Sequence, residues 1–397
     1  MRRTRLGTLA SLLLVASSAF AQTSSQSNSN SVAFKTLFNF NDTGNGSYIH
    51  GIASDSGGNL YGVAFAGDKS GYGDLFKLTR RASGYSFQVL QDMSIAGGNC
   101  NTTPTVDRAG NVFGVCTAPG SKGTLWEYSS QGSFSILHTF AGEDGQEPED
   151  AVALDSSGNI YGTTYIGGPG PGGTLWQYSP ASGAFTVLHG FPDGNDGELL
   201  VAGPKLDPTT NTLWGTTEYG PNCTFCGNGT VWSYDLTTGT FTTVVDFDNT
   251  SIRDPQSSLV MDAGGNLLGT AFGLGKYNCG LVYRLQKNNN YTPFILHTFT
   301  GSLLSGDGCY PLAKVSLDSQ GNIFGTTYYG GTGAGTVYEL HLVNGAWQET
   351  ILHTFSSSDG GGPDGGLITD GQGNWFGSTN LGGAYEWGTV FEISGVE

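Results

Sequence analysis

The chain repeats one short pattern of apolar and polar positions. An Asp opens it, a few turn residues and an Asn follow, then two apolar or aromatic residues, and a Gly closes it. Copies open at Asp55, Asp107, Asp155, Asp207, Asp262, Asp318 and Asp370 and close at Gly62, Gly114, Gly162, Gly215, Gly269, Gly325 and Gly377, the fourth with one extra residue. Successive closing glycines lie 48 to 56 residues apart. Each copy has the same surroundings. A short, partly apolar run precedes the Asp, as at 151–154. Thr163, Thr164 and Tyr165 follow Gly162, and then comes a Gly-rich loop. A Gly-Thr-apolar-aromatic segment is next (173–176, 229–232, 335–338, 388–391), and an alternating run such as 185–191 ends the unit. Runs of this length and alternation, bounded by turn residues, are strands. No comparable stretch carries a 3.6-residue apolar period.

Each unit therefore reads as four antiparallel strands, A to D. The A–B turn is supplied by Asp, whose carboxylate bonds its own downstream backbone, and by Gly and Asn, which tolerate positive φ. About 50 residues in four strands is the size of a propeller blade. A lone blade cannot cover its apolar faces, whereas blades stacked in a ring can. The last copy stops after its C strand, at 388–393, and has no D strand. The first recognisable segment, 34–40, looks like an orphan D strand; compare 136–140. Pairing the two completes blade seven. The predicted fold is all-β: a seven-bladed β-propeller of four antiparallel strands per blade, closed by the N-terminal strand and spanning 32–397.

The pattern is similar to the GloVer-type tandem repeat of secreted bacterial proteins, whose copies read roughly D-x-x-G-N-L-Y-G-T-T-x-x-G-G and then G-T-V-F. The similarity covers 32–397 and is best in copies three and six, as at 321–331. In copy one Val63 and Ala64 stand where the pattern has Thr-Thr, and Asp74 stands where it has the Thr after Gly73. The resemblance implies a secreted repeat protein and carries no biochemical activity with it.

The N-terminus gives an address. Arg2, Arg3 and Arg5 precede a short apolar run at 6–20, and Ala19-Phe20-Ala21 matches a signal-peptidase site. Residues 1–21 read as a signal peptide. The Ser/Asn/Gln-rich stretch 22–31 reads as a flexible leader, having too little apolar surface to offset its ordering entropy. The protein is expected outside the cytoplasm, extracellular or periplasmic, without membrane insertion and as a monomer. Six cysteines suit that oxidising setting. Cys100 and Cys116 flank a hairpin turn at similar distances, Cys279 and Cys309 are placed to pair across adjacent repeats, and Cys223 and Cys226 form a C-x-x-C. All six are disulfide candidates.

Composition narrows the partners. The chain has 65 Gly, 22 Phe, 18 Tyr and 7 Trp, with 33 acidic residues against 16 Lys and Arg, for a net charge of −17. So acidic a surface repels phosphate backbones and argues against nucleic acid. It suits divalent cations or neutral, hydroxyl-rich ligands.

Repetition separates fold from chemistry. His138, His189, His297 and His353 share one D-strand register and are read as structural, while His50 and His341 stand alone. Trp126, Trp176 and Trp232 share one C-strand register as core residues. Pro148, Pro255, Pro311 and Pro363 lie seven residues before the turn Asp, at entry to the innermost strand. The D–A and B–C loops emerge on one face, and the D–A loops are acidic. Asp144, Asp193, Asp196 and Glu198 are candidate Ca2+ ligands, Ca2+ being the one cofactor considered. Spaced carboxylates there could also do acid/base work on a glycoside. Residues that break the repeat on this face are candidate ligand contacts: Asp68, Lys69 and Tyr72; Lys276 and Tyr277; Tyr385, Glu386 and Trp387. No P-loop, G-x-S-x-G or H-E-x-x-H motif occurs. Two functions follow. One is a non-enzymatic binding or scaffold propeller for a polysaccharide or surface protein. The other is an extracellular carbohydrate-active hydrolase or lyase.

Overall fold

The computed structural model describes residues 32–396 except 68–69, 118–121, 193–195, 222–227, 248–250, 274, 276 and 302–306. They form seven antiparallel blades of four strands. The only helical pieces among them are two short 3-10 turns, Met93–Ala96 and Lys287–Asn289. The ring closes as predicted. Strand Ala33–Asn39 pairs antiparallel with Thr389–Ser394, setting Phe34 opposite Ile393 and Thr36 opposite Phe391. Blade seven is thus built from both ends of the propeller.

Each part of the repeated phrase has a physical task. Asp155 Oδ1 accepts the amides of Ser157 and Asn159, and its Oδ2 accepts Asn159 Nδ2 and the Tyr161 hydroxyl. This is an Asx-type turn locked by the Asn that follows it. The closing glycine leaves room for an aromatic ring. Gly162 lies opposite Trp176 on the C strand, and a Cβ there would come within 2.2 Å of the indole. The same pairing recurs in all seven blades, with Phe, Trp or Tyr as the ring. The first Thr after the glycine reaches the next blade: Thr163 Oγ1 donates to Ala202 O at 3.0 Å and Thr270 Oγ1 to Ala313 O at 3.1 Å. The second Thr bonds the C-strand Thr of its own blade, as Thr164 does with Thr174 at 2.8 Å. The Gly before that C-strand Thr sits against the inner-strand Pro of the following blade, so a Cβ on Gly229 would lie 2.3 Å from Pro255 Cδ.

The core is divided among the seams. Seven hydrophobic clusters each join two adjacent blades, the seventh joining blade seven to blade one through Phe40, Val390, Ile52 and Phe76. No blade buries its faces alone, which is why the ring must close to be stable.

On the rim, the repeated His of strand D stacks on an aromatic four residues before the same register in the next blade. The ring centroids of His138 and Phe185 are 3.7 Å apart, those of His189 and Phe241 3.8 Å, and those of His353 and Phe34 3.7 Å. Each of these histidines also meets an Asp of its own D–A loop: Asp144 at 2.8 Å, Asp196 at 2.9 Å and Asp359 at 3.2 Å. These contacts support the structural reading for His138, His189 and His353, and the D–A acids Asp144, Asp196 and Asp359 belong to it. Two disulfides are formed. Cys100–Cys116 lies within blade two, and Cys279–Cys309 ties the B–C loop of blade five to the entry of blade six. Cys223 and Cys226 lie outside the described residues.

Candidate functional site

Every blade enters its innermost strand through a residue with left-handed backbone: Tyr48, Asn99, Glu147, Leu199, Asp254, Tyr310 and Gly362, all with φ between 51° and 62°. Six of the seven are not glycine, so the bend costs about 1–2 kcal/mol at each. Bonds to the previous blade and to the home B strand hold it. The Tyr310 amide donates to Cys279 O at 2.8 Å, and Tyr310 O accepts the Tyr328 amide at 2.9 Å; the Glu147 amide likewise donates to Lys122 O at 2.9 Å. The bend turns the residue two positions on toward the axis. Those seven residues are His50, Asn101, Glu149, Val201, Gln256, Leu312 and Asp364, and all line one axial cavity of about 230 Å3. Asp150, Ser258 and Lys314, one or two positions further along, line it too.

Here one register carries seven environments. His50 Nδ1 is 3.1 Å from Asp364 Oδ2, which also accepts Asn380 Nδ2 at 3.1 Å. Burial disfavours a charged His50, but Asp364, Asp150 and Glu149 together outweigh it and raise its pKa to about 9. Asp150 Oδ2 accepts Ser258 Oγ at 2.7 Å and the Gly203 amide at 3.2 Å. Burial works against the Asp150 carboxylate, yet Lys314, Ser258 and His50 hold its pKa below the ordinary value. Glu149 lacks such support. Burial, reinforced by Asp150, Glu147 and Glu218 and opposed by His50, raises it to about 7. Gln256 donates to Glu218 at 3.1 Å, and burial raises Glu218 as well. Tyr165 borders the same acids, and burial followed by the charges of Glu218 and Glu149 pushes its hydroxyl up to about 12.

The chamber thus sets the His50 imidazole and the Lys314 side chain against the carboxyl groups of Asp150, Asp364 and Glu149. Its charge is close to balanced, and hydrogen-bond donors and acceptors face each other across it. Such a cavity can bind a small hydroxylated molecule, and Glu149 beside His50 has the protonation range of an acid/base group.

The residues singled out in the sequence lie elsewhere. Tyr72, Tyr277 and Tyr385 are exposed on the B–C loops of blades one, five and seven. Glu386 is exposed with φ 70°. Trp387 is half-buried, sets its ring edge-to-face with Tyr48 at 5.4 Å, and its carbonyl accepts the Tyr48 amide. None of these lines the axial cavity. Asp68, Lys69, Lys276 and Asp193 lie outside the described residues. Asp144 and Asp196 sit in successive D–A loops, each against its own histidine, and Glu198 is buried, its backbone bonding Tyr219. The structure does not gather them on one point. The axial residues were signalled by position: each follows the Pro register at the mouth of strand A.

No curated protein matches the sequence. Among solved structures the chain is similar to an oligogalacturonate lyase in complex with manganese (12% identity, TM-score 0.57, covering 92% of this chain and 96% of that one). It is similar to a second oligogalacturonate lyase, from Vibrio parahaemolyticus (11%, TM-score 0.56, 92% and 97%). A GH74 enzyme of Niastella koreensis also matches (17%, TM-score 0.56, 91% and 52%). At these identities the likeness is one of fold. The Gloeobacter/Verrucomicrobia repeat matches twice, over residues 16–226 and 224–396, so that all seven blades fall within it, and the chain belongs to that repeat family.

Proposed function

We propose that this is an exported, non-enzymatic binding propeller that takes one neutral sugar unit of a polysaccharide into its axial chamber. The observation that carries the reading is the convergence of seven unlike residues, at one register of seven like blades, on a polar cavity of about 230 Å3. That volume holds on the order of eight waters, which matches a single hexose ring. Balanced charge favours a neutral ligand over a uronate or a phosphate. Asp150, Asp364, Gln256 and Asn101 offer the planar acceptors and donors that hydroxyl pairs bond. Export is supported by the basic N-terminus, the apolar run with its Ala-x-Ala site, and the two disulfides. Among the described residues no helix is long and apolar enough to cross a membrane.

A second reading has its own observation: Glu149, at about 7, and His50, at about 9, straddle neutral pH in one cavity, as an acid/base pair of a glycan hydrolase or lyase would. A glycan array followed by chromatography of the incubated glycans separates the two. Binding with unchanged glycan is the expected result. Shortened or unsaturated products would transfer the chamber to the catalytic reading, and no glycan binding at all would reject both.

A further inference from the structure

The rim plan, a D-strand His stacked on the next blade's aromatic, is broken where blade five meets blade six. His297 occupies the His register of blade five. The partner register in blade six, four residues before His353, holds Glu349 where the seams after blades two, three and six have Phe185, Phe241 and Phe34. The D–A loop still delivers its Asp, here Asp307. The seam therefore gathers a histidine and two carboxylates. His297 Nε2 lies 3.9 Å from Asp307 Oδ1 and 3.7 Å from Glu349 Oε2, and one donor atom from each of the three residues lies within 4.8 Å of the other two.

Hydrogen bonding within the protein does not account for this cluster. His297 Nε2, Asp307 Oδ1 and Glu349 Oε1 are all buried without a hydrogen-bond partner, and the Asp307 side chain is only 8% exposed. Buried polar atoms left unpaired are costly and call for an explanation. Asp307 is firmly placed, because its other oxygen accepts the Thr300 amide at 2.7 Å. Two residues on, Cys309 is bonded to Cys279, which anchors the end of the loop that carries the carboxylate. Among the described residues this is the one group of three such side chains close enough to share an ion.

We propose that His297, Asp307 and Glu349 bind a first-row divalent cation, Zn2+ in the first instance, and that the ion joins blade five to blade six where the seams after blades two, three and six use a histidine–phenylalanine stack. One imidazole and two carboxylates form a nitrogen–oxygen donor set that suits Zn2+, and the two negative charges match its 2+. Bonds of about 2.1 Å at tetrahedral angles put donors roughly 3.4 Å apart, close to the 3.9 Å and 3.7 Å that separate His297 Nε2 from the two carboxylates.

The test uses tag-free protein stripped with EDTA and titrated with ZnCl2, followed by calorimetry and by thermal melting. The expected result is one saturable equivalent bound at micromolar affinity or tighter, with a rise in Tm that EDTA reverses. Glu349→Phe installs the residue type found after blades two, three and six. It should fold, regain the stack on His297 and lose both the equivalent and the Zn2+-dependent rise in Tm. Glu349→Gln, nearly isosteric, should lose them as well, and it keeps the test valid if the larger ring does not pack. Absence of a saturable equivalent in the wild type overturns the proposal. So does an equivalent that persists in either variant, since it then belongs to other side chains. A Tm that responds to pH but not to Zn2+ also overturns it, leaving three groups that share protons.

Discussion

On the rim, His138, His189 and His353 share one register and meet the same two partners, an Asp of their own loop and a ring of the next blade. On the axis, His50, Asn101, Glu149, Val201, Gln256, Leu312 and Asp364 also share one register and have nothing else in common. The backbone repeats in both places. At the rim the side chains repeat with it in the seams after blades two, three and six, which pose the same packing problem. At the axis the repeated left-handed bend fixes where a side chain goes without dictating what it is. Repeated residues at a repeated position serve the fold, and unlike residues at a repeated position are free to serve a ligand.

The comparison can be broken most forcefully from the fold side. Gly162→Ala places a methyl where Trp176 already lies, 2.2 Å away, and overpacking of this kind should cost about 3 kcal/mol. Gln256→Ala, at the axis, should stay within roughly 1 kcal/mol of wild type. Urea midpoints with unchanged slopes would read both. Equal costs would mean that the two registers are not divided as described.

A smaller effect separates rim from axis by pH. Burial, only partly offset by Asp196 and Asp359, lowers the pKa values of His189 and His353 below 6.5. The unfolded chain then takes up protons that the fold refuses, so their contribution is present above pH 6.5 and is lost as the pH falls. His50 is opposite in sign. Its pKa is raised to about 9, so its contribution is complete below pH 6.5 and is lost as the pH rises through about 9. Thermal melts from pH 5 to pH 10 should show both limbs. His189→Phe should flatten the acid limb and His50→Gln the alkaline one; a variant that alters the other limb instead would contradict the assignment.

The fold was legible because its rules recur. Seven Asp-to-Gly phrases give the blade count, the strand missing after Ile393 and the spare one at Phe34 give the closure, and Cys100 with Cys116 flank their hairpin visibly. The candidate site was legible only as a place. Exposed, repeat-breaking residues such as Tyr385 and Glu386 attract notice because their neighbours in other copies are small. Glu149, Asp150 and Lys314 do not, since the innermost strands are as short as two residues and carry no phrase against which a deviation stands out. The Pro residues that open these strands located the register, but convergence of side chains from seven blades is a property of the closed ring. The seam at Glu349 was hidden for a similar reason. An exposed-looking Glu in a strand becomes unusual only once Phe185, Phe241 and Phe34 are seen to occupy its place elsewhere.

The most direct measurement sets the axis against the loops with one ligand. The glycan that binds wild-type protein best is titrated into Asp150→Asn, which removes the charge that Ser258 and Lys314 surround, and into a Tyr385→Ala/Glu386→Ala double variant on the outer face. The axial reading predicts at least a tenfold loss of affinity, about 1.4 kcal/mol, for the first and wild-type binding for the second. Full affinity in Asp150→Asn together with loss in the loop variant would contradict it and place the ligand on the exposed B–C loops.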